Sequence, residues 1–310
     1  MEYYHEYNLF GESVVKACLA AETHHLDVSG ESLFLEGMQL KYHEEAIQKG
    51  IYIIGACGFD SIPCDLGVSL VKKKFQGDLN SVETYLEFNS GPQGETINAG
   101  TWHSVVNGIT TKNKTEEIRK ELNKTVFKKR PNFSHCLSKR YDVNIGLGVS
   151  DLKLELWTSV WLINSHYKEI GGNSADNVKR LVPEHVPGLT DMYPHLFSFG
   201  KFKEGGPSRQ EIKEASFTTV FWAEGWKDKL DADKQHTEPP NKNMKVILTA
   251  PDPVYITTSL CLVNAGVVCL KENEKMPGSG GVLTPAAAFE DTSLLERLQK
   301  SGMEFNIIEK

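Results

Sequence analysis

The densest group of chemistry-bearing residues in this chain runs Gly55-Ala56-Cys57-Gly58-Phe59-Asp60-Ser61-Ile62-Pro63-Cys64-Asp65. Gly55 and Gly58 let backbone come close to backbone or to a ligand. Asp60, Ser61 and Asp65 carry oxygens that could face a ligand; the same side chains are also those that cap a helix start, where Pro63 is tolerated. Both readings stand for each of the three. Cys57 and Cys64 flank the turn, but no neighbouring His or Lys in the sequence is placed to lower a thiol pKa, so nucleophilic catalysis is not assigned to them. Glu31, behind Gly30, could hydrogen-bond a substrate group or serve as an acid at a helix N-terminus. Gly100, Thr101 and Ser104 form a further candidate, either an anion-binding turn or an ordinary cap. His24, His25 and Asp27 do not make a metal site, because adjacent strand residues point to opposite faces. No Gly-x-Ser-x-Gly elbow is present.

The elements that must position these residues follow from periodicity. Ile51 to Ile54 is apolar and β-branched, as in a strand buried on both faces. Leu66, Leu70, Val71 and Phe75 follow at helical spacing, with Lys72 to Lys74 in the last turn and Gly77 as the stop. Upstream, Val14, Val15, Cys18 and Leu19 mark one apolar helix face, His25 to Val28 a short strand, and Phe34, Met38, Tyr42 and Ala46 a helix capped by Ser32. Helix, strand, helix, strand, helix is the rhythm of a parallel, doubly wound sheet. In such sheets ligands bind beyond the carboxyl ends of the strands. The Gly-x-Gly-x-x-Gly phosphate cradle is absent: Gly146-Leu147-Gly148 and Gly278-Ser279-Gly280 each lack the third glycine.

From Ser81 the period changes to two. Val82, Thr84, Leu86 and Phe88 alternate with polar residues, and Phe217 to Ala223 and Met244 to Leu248 read as a long antiparallel hairpin. Leu152 to Leu162 is a weaker strand, and Lys168 to His195 a loop. Val254 to Leu270 falls short of a membrane span and reads as a buried helix. Ser293 and Glu296 predict a capping box, followed by a terminal strand through Met303, Phe305 and Ile307. The expected fold is α/β: a partial parallel sheet over residues 1–80, an α+β unit with a largely antiparallel sheet over 81–280, and a closing helix and strand over 281–310 that return to the first unit.

The chain has 310 residues, a net charge of −7 and 40% hydrophobic residues, an ordinary globular composition. The acidic balance argues against nucleic acid as a partner; the basic run from Lys124 to Arg130 lacks the aromatic residues that stack bases. Six scattered cysteines without a Cys-x-x-Cys pair suit a reducing, cytoplasmic setting.

Three segments carry a resemblance to a known family: Gly11-Glu12-Ser13-Val14-Val15-Lys16-Ala17-Cys18, Thr23 to Glu31, and Cys57 to Gly67. With Gly100-Thr101-Trp102-His103-Ser104, Leu196 to Phe202 and Gly280 to Phe289, they resemble the saccharopine dehydrogenase-like oxidoreductases, in the branch that includes trans-acting enoyl reductases. The resemblance implies a Rossmann unit followed by an α+β unit, and NAD(P)-linked redox chemistry on a lipid-like or carrier-bound substrate. On that basis Gly58, Phe59, Asp60 and Ser61 would meet the cofactor. Glu31, Asp65, Gly100, Thr101 and Ser104 would lie at the substrate cleft. It also implies association with lipid droplets or membranes, and a homodimer is the assembly considered. Members of the family carry a strand and a Gly-rich loop ahead of the position of Tyr7, which this chain lacks; a truncated form with weak cofactor binding and an exposed sheet edge is therefore expected. The competing reading is a non-catalytic scaffold or partner-binding relative that keeps the cleft without the cofactor.

Overall fold

A computed structural model describes residues 7–94, 96–125, 200–231 and 234–309. The elements are α1 (Tyr7–Ala20), β1 (His25–Leu26), α2 (Ser32–Gln48), β2 (Tyr52–Ile54), α3 (Ile62–Lys74), β3 (Asp78–Asn89), β4 (Ile97–Asn98), α4 (Ala99–Thr110), α5 (Lys112–Thr125), β5 (Phe202–Lys203), α6 (Arg209–Glu214), β6 (Ser216–Trp226), β7 (Lys242–Pro251), α7 (Thr258–Lys271), β8 (Gly281–Leu283), α8 (Pro285–Phe289), α9 (Leu294–Lys300) and β9 (Glu304–Glu309). Strands β1, β2 and β8 form a parallel sheet in the order β1-β2-β8. Strands β3, β6, β7 and β9 form an antiparallel sheet in the order β3-β6-β7-β9. The expected pairing of a parallel sheet with a separate antiparallel one is what the chain adopts.

Helix α3 joins the two sheets. Its Leu66, Val68, Leu70 and Val71 share one core with Phe217, Phe221, Met244, Val246 and Leu248. Gly67 faces β6 so closely that a Cβ there would collide with the Phe221 ring. A second core, Val15, Leu19, Phe34, Met38, Ile51 and Ile53, lies on the α1–α2 side of the parallel sheet. Because β2 is buried on both faces, its sequence is an unbroken apolar run rather than an alternating one. The polar loop between β6 and β7 is pinned: His236 stacks on Trp226 at 4.1 Å, and its ring pairs with Asp78 at 2.8 Å.

Several expectations are corrected. Helix α2 begins at Ser32, so Glu31 rather than Ser32 is the cap residue. The buried face of α1 is Gly11, Val15 and Leu19, while Val14 points outward. Ser293 and Glu296 form no capping box; Ser293 instead donates its backbone amide and its hydroxyl to Glu272. The capping box that does form joins Ser208 and Glu211 at α6. Helix α7 is not buried throughout: Cys261, Ala265, Val268 and Cys269 face the core, but Val263 and Leu270 are 64% and 78% exposed. With the π-helical turn before it, Pro253–Lys271 is long and apolar enough to cross a membrane by length and composition alone. In the closing segment β8 adds to the parallel sheet, whereas β9 pairs with β7, so the last strand belongs to the antiparallel sheet. The strand expected over 152–162 and the loop over 168–195 lie outside the described residues.

Candidate functional site

A small cleft opens where β2 and β8 end. Leu35, Gln39, Gly55, Ala56, Ser61, Asp65, Val282, Leu283, Thr284 and Pro285 line it, and its volume of about 30 Å³ is room for roughly one or two waters. The turn after β2 has this shape for specific reasons. A Cβ on Gly55 would collide with the end of the Leu35 side chain, which would have to move. Ala56 then takes a φ of +58°, a left-handed conformation costly for any residue with a Cβ. Asp27 holds it there: its backbone oxygen accepts from the Cys57 amide at 2.7 Å, and its Oδ1 from the Ala56 amide at 3.3 Å. Oδ1 also accepts from the Ser29 amide at 2.8 Å, while Oδ2 accepts from His25 Nε2 at 2.8 Å. Sequence reasoning weighed Asp27 only as a metal ligand. Its structural role rests on a contact 29 residues away in the chain, for which the sequence carries no local signal.

The two acids that follow β2 differ in setting: Asp65 lines the cleft and Asp60 does not. Asp65, 3% exposed in the first turn of α3, accepts from the Ala286 amide at 3.1 Å, tying α3 to the start of α8. Burial pushes its carboxyl up to about 7. Asp60 is exposed to solvent on one side. Desolvation raises its carboxyl to about 6.

Among the other expected site residues, Ser61 is buried and lines the cleft with Asp65. Phe59 turns into the core, its ring edge-on to Phe217 at 4.7 Å and its amide on Thr258 Oγ1 at 3.1 Å. Gly58 sits against Thr258, and its carbonyl accepts from the Ser61 and Ile62 amides. Glu31 is 1% exposed and accepts from the amides of Tyr7 and Asn8, at 3.2 and 2.9 Å, capping the start of α1. Gly100, Thr101 and Ser104 lie in α4, and the Gly100 amide donates to Asn98 Oδ1 at 2.9 Å. None of these three is among the residues lining the cleft.

A dinucleotide at this turn would need free backbone amides for its pyrophosphate. Here the amides of Ala56, Cys57, Phe59, Ser61 and Ile62 all have acceptors within the protein, and Asp65 places a carboxyl in the first turn of the helix. The residues of the β2–α3 turn therefore do not fit the phosphates of NAD(P). What they offer is a narrow, largely apolar slot with one buried acid.

A parallel sheet with its cleft at the strand carboxyl ends, joined through one helix to an antiparallel sheet, places the molecule among α/β proteins built around a ligand crevice. The chain belongs to the saccharopine dehydrogenase-like oxidoreductases. A human protein of that name is 35% identical over 97% of this chain and 75% of its own length. A Caenorhabditis elegans lipid droplet localized protein is 32% identical over 97% of this chain and 77% of its own. A Mycobacterium tuberculosis protein provisionally named a trans-acting enoyl reductase is 25% identical over 96% of this chain and 77% of its own. No family model matches the chain.

Proposed function

We propose that this chain serves NAD(P)-linked redox chemistry on a lipid-like or carrier-bound substrate, with Asp65, in the small cleft between the β2–α3 and β8–α8 turns, as the group that handles the proton, and with the cofactor's phosphates held elsewhere than at the β2–α3 turn. The observation that carries this reading is the convergence of two parallel-strand ends on the nearly buried Asp65. A carboxyl poised near neutrality can hold a proton for a substrate atom and give it up again. The oxidoreductase names of the relatives support the reaction class, and the name of the nematode relative supports a setting at lipid droplets. The β2–α3 turn's own contribution is to exclude water and fix the acid. No step is assigned to the cofactor at this turn.

A second reading is a relative that keeps the cleft as a binding surface without cofactor. The internal pairing of the turn's amides favours it. Titration of the folded protein with NADPH and NADH to millimolar concentration, followed by calorimetry, separates the two. Saturable binding supports the redox reading. Absence of heat, with circular dichroism showing a folded chain, leaves only the second.

A further inference from the structure

We infer that Cys18 is a reactive thiol, served by His25 as base and Asp27 as its orienting acid, and that it takes covalent modification by soft electrophiles of the α,β-unsaturated carbonyl class. The inference does not depend on how the cleft is used. Cys18 on α1 lies with its Sγ 3.9 Å from His25 Nδ1 on β1. The other ring nitrogen, Nε2, is 2.8 Å from Asp27 Oδ2. A carboxylate only accepts, so Nε2 carries the proton in this pair. In the neutral ring that leaves the Nδ1 lone pair directed at the thiol. Nucleophile, base and orienting acid thus stand in the sequence that activates cysteine nucleophiles generally.

The surroundings hold this arrangement in place. Asp27 is fixed by the Ser29 and Ala56 amides on its other oxygen, and the His25 side chain is only 12% exposed. The further titratable groups within electrostatic reach of Asp27 are Tyr7 of α1, Glu31 beside it, and Cys57 of the β2–α3 turn. Cys18 itself is only partly buried, so a small reagent can reach it. The other described cysteines provide an internal contrast: Cys57, Cys64, Cys261 and Cys269 are buried, and burial raises the thiols of Cys57, Cys261 and Cys269. Cys18 sits in the C-terminal half of α1, where the helix dipole does not favour an anion. Activation therefore rests on His25 alone, which makes that residue the decisive one.

In the reaction the thiol proton passes to His25 Nδ1 as sulfur forms a bond to the β-carbon of the alkene. The alkene π pair moves to the α-carbon, which takes the proton back from Nδ1. A thioether results, nothing leaves, and no oxidant or reductant is consumed.

The test uses N-ethylmaleimide on the full chain, with peptide mapping by mass spectrometry and glutathione as the reference thiol. Cys18 should be modified first, and near pH 6 at least about tenfold faster than glutathione. His25→Asn should bring the rate down to that of glutathione, with circular dichroism confirming that the variant is folded at the labelling temperature. Should that variant fail to fold, the pH profile of the wild-type chain decides. A Cys18-to-glutathione rate ratio that grows as pH falls supports the inference. A ratio constant across the pH range, or a folded His25→Asn chain labelled as fast as wild type, overturns it.

Discussion

The two sheets divide their labour, and their buried polar groups show how. Around the parallel sheet, Asp27, Ser29, Glu31, Ser61 and Asp65 are all nearly inaccessible, and all lie in the turns that leave β1 and β2 or at the start of α3. The antiparallel sheet also buries Ser81, Glu83 and Thr219, but these sit within its strands, and its core is Phe217, Val220, Phe221, Met244, Val246 and Leu248. A sheet with helices on both faces and short strands spends its strand ends on polar turns, whose backbone groups need partners. A long antiparallel hairpin satisfies its backbone in the ladder and leaves its inner face for packing. The first region can therefore hold chemistry, and the second supplies the mass against which α3 is held still.

Phe221→Ala should separate the two regions most strongly. Phe221 is fully buried between β6 and Gly67 of α3, and its loss should cost about 3–5 kcal/mol in chemical denaturation. A loss below about 1 kcal/mol would mean that the antiparallel sheet does not anchor α3. Asp27→Ala acts on the other region. It leaves the buried Ser29 amide without its acceptor and deprives Ala56 of the bond that supports its left-handed backbone. The expected cost is about 2–3 kcal/mol, with cleft ligands weakened as well. If Asp27→Ala left stability unchanged, the polar turns would not need the carboxylate that joins them.

The smallest effect sharpens the comparison by its pH dependence. Asp65 has its carboxyl raised by burial to about 7 in the folded chain, against an ordinary value of 3.8. Between those values the unfolded chain binds fewer protons than the folded one, so this residue's contribution to stability falls as pH rises from about 4 to 7 and then levels. Asp60, raised to about 6, acts in the same direction. Thermal melts across that range should show Asp65→Asn with a shallower decline than wild type, by on the order of 1–2 kcal/mol at the upper end. Parallel pH profiles for the two chains would remove Asp65 as a buried acid.

Much of this organisation is legible in the sequence where it is local. The Ile51–Ile54 run, the glycine turn and the Leu66–Phe75 helix are written within some 25 residues, and the Phe217–Leu248 hairpin announces itself by alternation. What is not legible depends on contacts between distant positions. Asp27 looks like a strand-end acid until Ala56 is brought beside it. Ser293 and Glu296 satisfy a capping pattern, yet Glu272 at the end of α7, oriented by Lys275 and Arg297, takes both the amide and the hydroxyl of the serine. Cys18 and His25 are seven residues apart, but their approach requires α1 to fold back along β1. Ser61 and Asp65 line the cleft, and the helix start that buries them follows directly from the sequence.

Strand β8 has a temporal consequence. The Val282 amide rests on the His43 ring across 239 positions of chain, and β8 completes the wall of the cleft. A nascent chain emerging from the ribosome can form α1 through α3 early, but the pocket has no far side until β8, far downstream in the chain, has been translated and has docked beside β2.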